Sequence, residues 1–182
     1  MINGKKVLSV VMARRGSVGL FGKSYRPLMG VPSFMWSVFA STNSELVDLT
    51  ITTCSCPIVK EKWEEYHEGN KCEKSKFIDR PEELNGKLVK NEAVLLHTLK
   101  VSQEKYNFDP DILITLQSTS PIRYDNLLDK CLKTFMENDA DSLLTTDSHF
   151  PFGWKKINNS LYSNEVECPN NYYLNRPMRQ VL

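Results

Sequence analysis

The chain reads as a three-layer α/β domain on a doubly wound, mainly parallel sheet. Three observations lead there. Unbroken apolar runs, KVLSVVM at 6–12 and DILITL at 111–116, have the composition of strands covered on both faces. Amphipathic stretches alternate with such runs along the chain. The segments after those two runs gather glycine, hydroxyl and basic residues, as expected where ligands bind beyond the carboxyl ends of strands.

The elements follow in order. After the strand at 6–12, VPSFMWSVFAST (31–42) predicts a helix that Pro32 is placed to start. VDLTITT (47–53) is β-branched and alternating, a strand. PIVKEKWEEYHEG (57–69) opens on Pro57 and closes on Gly69, a helix. SKFIDR (75–80) is a short strand, and NEAVLLHTLKVSQEKY (91–106) has helical apolar spacing. DILITL is the next strand, RYDNLLDKCLKTFMEN (123–138) an amphipathic helix and DSLLTT (141–146) a last strand. The texture then shifts to Asn, Pro and aromatic residues. Residues 1–148 are therefore read as one domain and 149–182 as the start of an extension, with WKKINNSLYS predicting a hairpin.

With 182 residues, 41% hydrophobic and 25% charged, the chain can bury a sizeable core, and no apolar run reaches membrane-spanning length. The five cysteines are odd in number and none has CxxC spacing, so neither a zinc site nor a disulfide framework is expected, and a cytoplasmic setting is the default. Net charge is +1, but six of the 23 basic residues precede the first acidic one, Glu45. Four of those six, Arg14, Arg15, Lys23 and Arg26, lie in one glycine-bearing loop. Such concentration suits a small polyanion such as a nucleotide triphosphate better than a nucleic acid or a membrane surface. A solvated basic loop is the plain rival.

RRGSVGLFGKS ends as a Walker A loop ends, yet five residues separate Gly16 from Gly22 where that motif has four. YRPLMGVP after Ser24 also forbids a helix opening there. Glycine at 16, 19 and 22 does not match the dinucleotide fingerprint. What remains is a strand, a loop whose small residues let backbone amides approach phosphate oxygens, and two cations: Arg14 with a bidentate fork and Lys23 as a point charge. His97 lies in an apolar helical stripe and reads as a satisfied core histidine; His67 and His149 have no companions at metal-ligand spacing.

VVMARRGSVGLFGKSYRPLMGVPSFMWSV resembles the opening of the N-acylneuraminate cytidylyltransferase family through Ala13-Arg14, Ser17, Gly19-Leu20, Lys23, Pro27-Leu28, Gly30 and Pro32. DRPEEL (79–84), LHTLK (96–100), LQSTSPIR (116–123) and MRQVL (178–182) resemble later family segments in the same order. The resemblance implies a nucleotidyltransferase, Rossmann-like fold with a C-terminal dimerisation arm. It also implies Mg²⁺, a homodimer, and transfer of CMP from CTP to a 2-keto sugar acid (a nonulosonic acid of the sialic or legionaminic type) with release of pyrophosphate. Arg14 and Lys23 would act in catalysis. Nucleotide contacts would come from Arg14, Ser17, Gly19, Lys23, Ser24, Arg80 and Asn91. Gln117, Ser118, Thr119, Arg123, Arg179 and Gln180 would meet the sugar acid. Arg123 has two alternatives, capping its loop or pairing with a carboxylate. For Arg80 the rival is a surface arginine before a helix-starting proline. For QSTSPIR it is a polar capping turn with Pro121 near a helix N-terminus.

Departures are equally legible. Val18 stands for a loop lysine, Ser24 for Asn, Cys54 for a common Asp, and NGKLVKN for a hydroxyl-rich loop. The family pattern continues into an Asp-x-Asp segment that holds Mg²⁺, and these 182 residues do not include it. The expectation is nucleotide binding partly retained and weak or no turnover, as a fragment of a longer enzyme or a non-catalytic nucleotide-binding homologue.

Overall fold

The computed structural model describes residues 1–14, 20–69, 72–86 and 88–146, and the backbone of 154–157 and 160–163. It forms two compact units, Met1–Leu143 and Leu144–Leu182.

The first unit is built on four parallel strands: β1 (Val7–Met12), β4 (Leu49–Cys54), β5 (Ser75–Asp79) and β6 (Ile112–Gln117), ordered β5-β4-β1-β6. The chain winds outward from β1 to β5, then returns to place β6 on the other side of β1. Its topological switch point thus lies between β1 and β6, where Met12 pairs with Gln117. β1 is apolar on both faces because both are covered. Val7 and Val11 pack with α1 (Ser33–Thr42), α2 (Pro57–Glu68) and α4 (Leu127–Glu137) through Phe34, Met35, Val38, Val59 and Leu132. Leu8 and Val10 pack on the opposite side with Ile51 and Ile78, against Leu95 and Leu99 of α3 (Asn91–Tyr106). This is the three-layer architecture expected from the sequence.

Between β1 and α1 the chain makes a small hairpin, β2 (Pro27–Leu28) against β3 (Val31–Pro32). Its two turn residues, Met29 and Gly30, have φ of 52° and 82°, the left-handed pair of a tight two-residue turn. The Trp36 indole donates to the Leu28 carbonyl at 3.1 Å and fixes the hairpin on α1. No helix opens at Ser24; the next one begins at Ser33.

Two expectations are corrected. Residues 141–146 form no strand and add none to the four-stranded parallel sheet. The helix expected from 123 begins at Leu127, after Asn126 at φ 59°, because Arg123 is held in the preceding loop. Pro121 therefore lies six residues before the helix rather than at its start.

In the second unit, β7 (Trp154–Ile157) and β8 (Ser160–Ser163) pair antiparallel, as WKKINNSLYS predicts; Asn158 and Asn159 lie outside the described residues.

Candidate active site

The carboxyl ends of β1, β4 and β6 carry the loops that the sequence marked. Residues 20–26 are a series of turns fixed from two sides. The Gly22 carbonyl accepts the amides of Tyr25 (3.0 Å) and Arg26 (2.9 Å). Ser33 at the start of α1 sets its hydroxyl 2.6 Å from the Lys23 carbonyl and 2.9 Å from that of Ser24. Gly22 is required here: its φ is 67°, and a Cβ on it would stand 2.6 Å from the Tyr25 ring. These turns hold the backbone of Lys23 and leave its half-buried side chain as a charge at the loop.

Arg14 is exposed where β1 ends. Below it lies Arg80, only 8% exposed, so the surface reading of Arg80 is overturned. Its Nη2 donates to the carbonyls of Ala13 (3.0 Å) and Thr53 (2.9 Å), bridging the ends of β1 and β4. Burial lowers the pKa of Arg80, and the nearby charge of Arg14 works in the same direction. Among the described residues Arg14, Lys23, Arg26 and Arg80 form no salt bridge. Among the described residues the edge is thus cationic with no paired carboxylate, and α1 adds a helix N-terminus with no acidic residue in its first turn.

Across the switch point, the 117–123 loop is organised by Arg123. Its Nη1 donates to Ser37 Oγ (3.0 Å) and the Pro121 carbonyl (3.4 Å), and Nη2 to the Gln117 carbonyl (3.3 Å). Burial pushes its pKa down to about 10, so it stays charged at neutral pH. These bonds show Arg123 capping its own loop, one of the two alternatives in the sequence. Thr119 is exposed and donates to Gln117 Oε1 at 3.3 Å, leaving an amide and a hydroxyl beside the crevice.

Ser24 and Ser118 are 3% and 5% exposed, and their hydroxyls lie 3.3 Å apart. They face each other rather than open solvent. Asn91 is exposed at the first position of α3. Ser17, Gly19, Arg179 and Gln180 lie outside the described residues. The structure thus brings Arg14, Lys23, Ser24 and Arg80 together at the end of β1, and Gln117, Ser118, Thr119 and Arg123 at the end of β6.

Among the described residues no three His, Cys, Asp or Glu side chains converge to hold a metal ion. His97 Nδ1 is buried without a hydrogen-bond partner among the described residues, which corrects its reading as a satisfied core histidine. His67 is structural: it stacks on Trp63 at 3.8 Å and bonds to the Trp63 carbonyl and Ser75. A cavity of about 550 Å³, lined in part by Arg123, opens between Trp36 and Phe39 of α1, with Asn43 just after it, and Tyr124 and Asn126. No local pattern marks this cavity, because its walls come from segments some eighty residues apart.

No protein-family profile matches the chain. Among curated proteins it is 27% identical over 141 residues to the post-translational flagellin modification protein B of Campylobacter coli, covering 77% of this chain and 57% of that protein. Among solved structures it resembles a CMP:2-keto-3-deoxy-manno-octonic acid synthetase complexed with CTP (TM-score 0.58, 19% identity, 74% of this chain and 49% of that one). A 4-diphosphocytidyl-2C-methyl-D-erythritol synthase matches with TM-score 0.60 at 11% identity, over 87% and 68%. A cytidylyltransferase from Leptospira borgpetersenii matches with TM-score 0.53 at 19% identity, over 74% and 50%. The chain spans little more than half the length of its curated relative.

The parallel sheet and its helices belong to the class of fold that these cytidylyltransferase structures share. Within that class, the resemblance to the N-acylneuraminate cytidylyltransferases agrees with both the curated relative and the structural neighbours.

Proposed function

We propose that this chain takes CTP at the β1 edge and serves transfer of CMP to a 2-keto sugar acid of the sialic or legionaminic type, with release of pyrophosphate. One observation carries the reading. The carboxyl end of β1, beside the switch point where such folds bind ligands, carries Arg14, Lys23 and the buried Arg80, and among the described residues none of the three forms a salt bridge.

The chemistry divides along the crevice. Arg14 and Lys23 hold the triphosphate and stabilise charge that grows on the phosphoryl oxygens and the leaving pyrophosphate. Arg80 keeps Ala13, and hence Arg14, in register. Gln117 and Thr119 orient the sugar acid beside β6. Its anomeric oxygen forms a bond to the α-phosphorus, the bond from that phosphorus to the bridging oxygen breaks, and the hydroxyl proton passes to solvent. Positioning supplies most of the acceleration in such a step. Asn91, Mg²⁺ and a homodimer belong to the same proposal, as do Ser17, Gly19, Arg179 and Gln180.

The test is pyrophosphate release from CTP with N-acetylneuraminic, legionaminic and 3-deoxy-manno-octulosonic acids in turn, on wild type and Arg14→Ala. Release with the first two acids, lost in the variant, supports the reading. Release only with the octulosonic acid overturns the substrate assignment. CTP binding with no release from any acid leaves a nucleotide-binding homologue, and no CTP binding removes the proposal.

A further inference from the structure

Helix α1 carries serine at every fourth position of its buried side: Ser33, Ser37 and Ser41, all under 9% exposed. Ser41 meets Thr50 of β4 at 2.7 Å. The other two hold the ligand loops. Ser33 takes the backbone carbonyls of Lys23 and Ser24, as described. Ser37 accepts from Arg123 and stands 3.5 Å from the Gln117 carbonyl. One helical turn therefore anchors both loops, one through each serine.

The loops also meet directly. Ser24 Oγ lies 3.3 Å from Ser118 Oγ, and 3.5 Å and 3.4 Å from the backbone nitrogen and oxygen of Arg14. A buried hydroxyl is costly unless bonded, and alanine is the better helix former at the α1 positions. A row of buried serines whose bonds run to two loops is thus better explained by what it holds than by packing.

We propose that Ser24 and Ser118 are positioning residues that couple the two loops, so that filling the triphosphate side orders the 117–123 side for the second substrate. This rests on the cytidylyltransferase reading above. The coupling is positive, because a loop already ordered by one ligand costs less to order for the next.

The experiment is amide hydrogen exchange on the full 182-residue chain, as wild type, Ser24→Ala, Ser118→Ala and the double variant, without ligand and with saturating CTP. Without ligand, Ser24→Ala is expected to speed exchange at Ser120, whose amide donates to Gln117. Ser118→Ala should speed it at Tyr25 and Arg26, whose amides donate to Gly22. Each effect should be about 3- to 10-fold, the scale of one hydrogen bond, and the double variant should be no worse than the worse single one. With CTP, wild type gains protection at both 20–26 and 117–123, and the double variant at 20–26 alone.

Effects confined to the substituted loop, or equal CTP protection of 117–123 in the double variant, overturn the proposal. A wild type that does not respond to CTP refutes the nucleotide reading. The ligand-free cross-loop effect then still decides whether the clasp exists, and with no nucleotide to transmit, the coupling proposal falls. If an alanine variant loses its native circular dichroism, Ser→Cys at the same positions, similar in size with a weaker donor, gives the same comparison at smaller amplitude.

Discussion

Replacing Gly22 by alanine tests whether the turn that presents Lys23 depends on this glycine. Two costs follow from the structure. At φ 67° alanine occupies the left-handed region, worth about 1–2 kcal/mol. Its methyl would also stand 2.6 Å from two carbons of the Tyr25 ring and 2.7 Å from its hydroxyl. That ring packs against the core beside α1 and meets Phe21 edge-on at 6.5 Å, so it cannot rotate away without exposing apolar surface. Partial loss of that packing adds about 1–2 kcal/mol. The sum, roughly 2–4 kcal/mol, lowers the midpoint of thermal unfolding by about 4–16 °C for a chain of this size. Urea and thermal unfolding followed by tryptophan fluorescence measure it. Gly22→Asn separates the two costs, because asparagine tolerates positive φ while its Cβ makes the same clash. An alanine variant melting within 1 °C of wild type would refute both the turn geometry and the role given to Tyr25.

Three further outcomes are expected. Asp129, 8% exposed, accepts the Ser44 hydroxyl and the amides of Glu45 and Leu46. Asp129→Ala should therefore cost about 2–4 kcal/mol in urea unfolding, with Asp129→Asn intermediate. Burial raises the Cys54 thiol from 9.0 to about 11. A raised pKa means stability present below pH 9 and lost as pH climbs toward 11, by roughly 3 kcal/mol, and Cys54→Ala should flatten that decline. Arg80→Lys keeps the charge but not the fork that spans two carbonyls, so it should destabilise the fold by about 1–3 kcal/mol, read as a lower midpoint in thermal melts.

What the sequence revealed and what it hid divide by the range of the interactions. Strands β1 and β6 were legible because burial on both faces leaves a largely apolar run, and α3 through the apolar residues at helical spacing in its first three turns, Val94 to Val101. The two loops were legible through local composition. The 27–32 hairpin passed unnoticed, although Met29-Gly30 between short extended pairs was a usable signal. Residues 141–146 have a strand-like composition, yet composition alone does not add a segment to a sheet. The burial of Arg80 depends on carbonyls 67 and 27 residues away, and that of Ser24 on a hydroxyl 94 residues away. No local pattern records such distances. The serines of α1 likewise carry no local mark of their partners, which lie in other segments.

The measurement that bears most directly on the account is a calorimetric titration of CTP, against ATP, GTP and UTP, into wild type and Lys23→Ala. A CTP-selective binding isotherm, weakened at least tenfold (about 1.4 kcal/mol) by Lys23→Ala, is what the account predicts. Equal affinity for all four triphosphates, or CTP binding indifferent to Lys23→Ala, would contradict it.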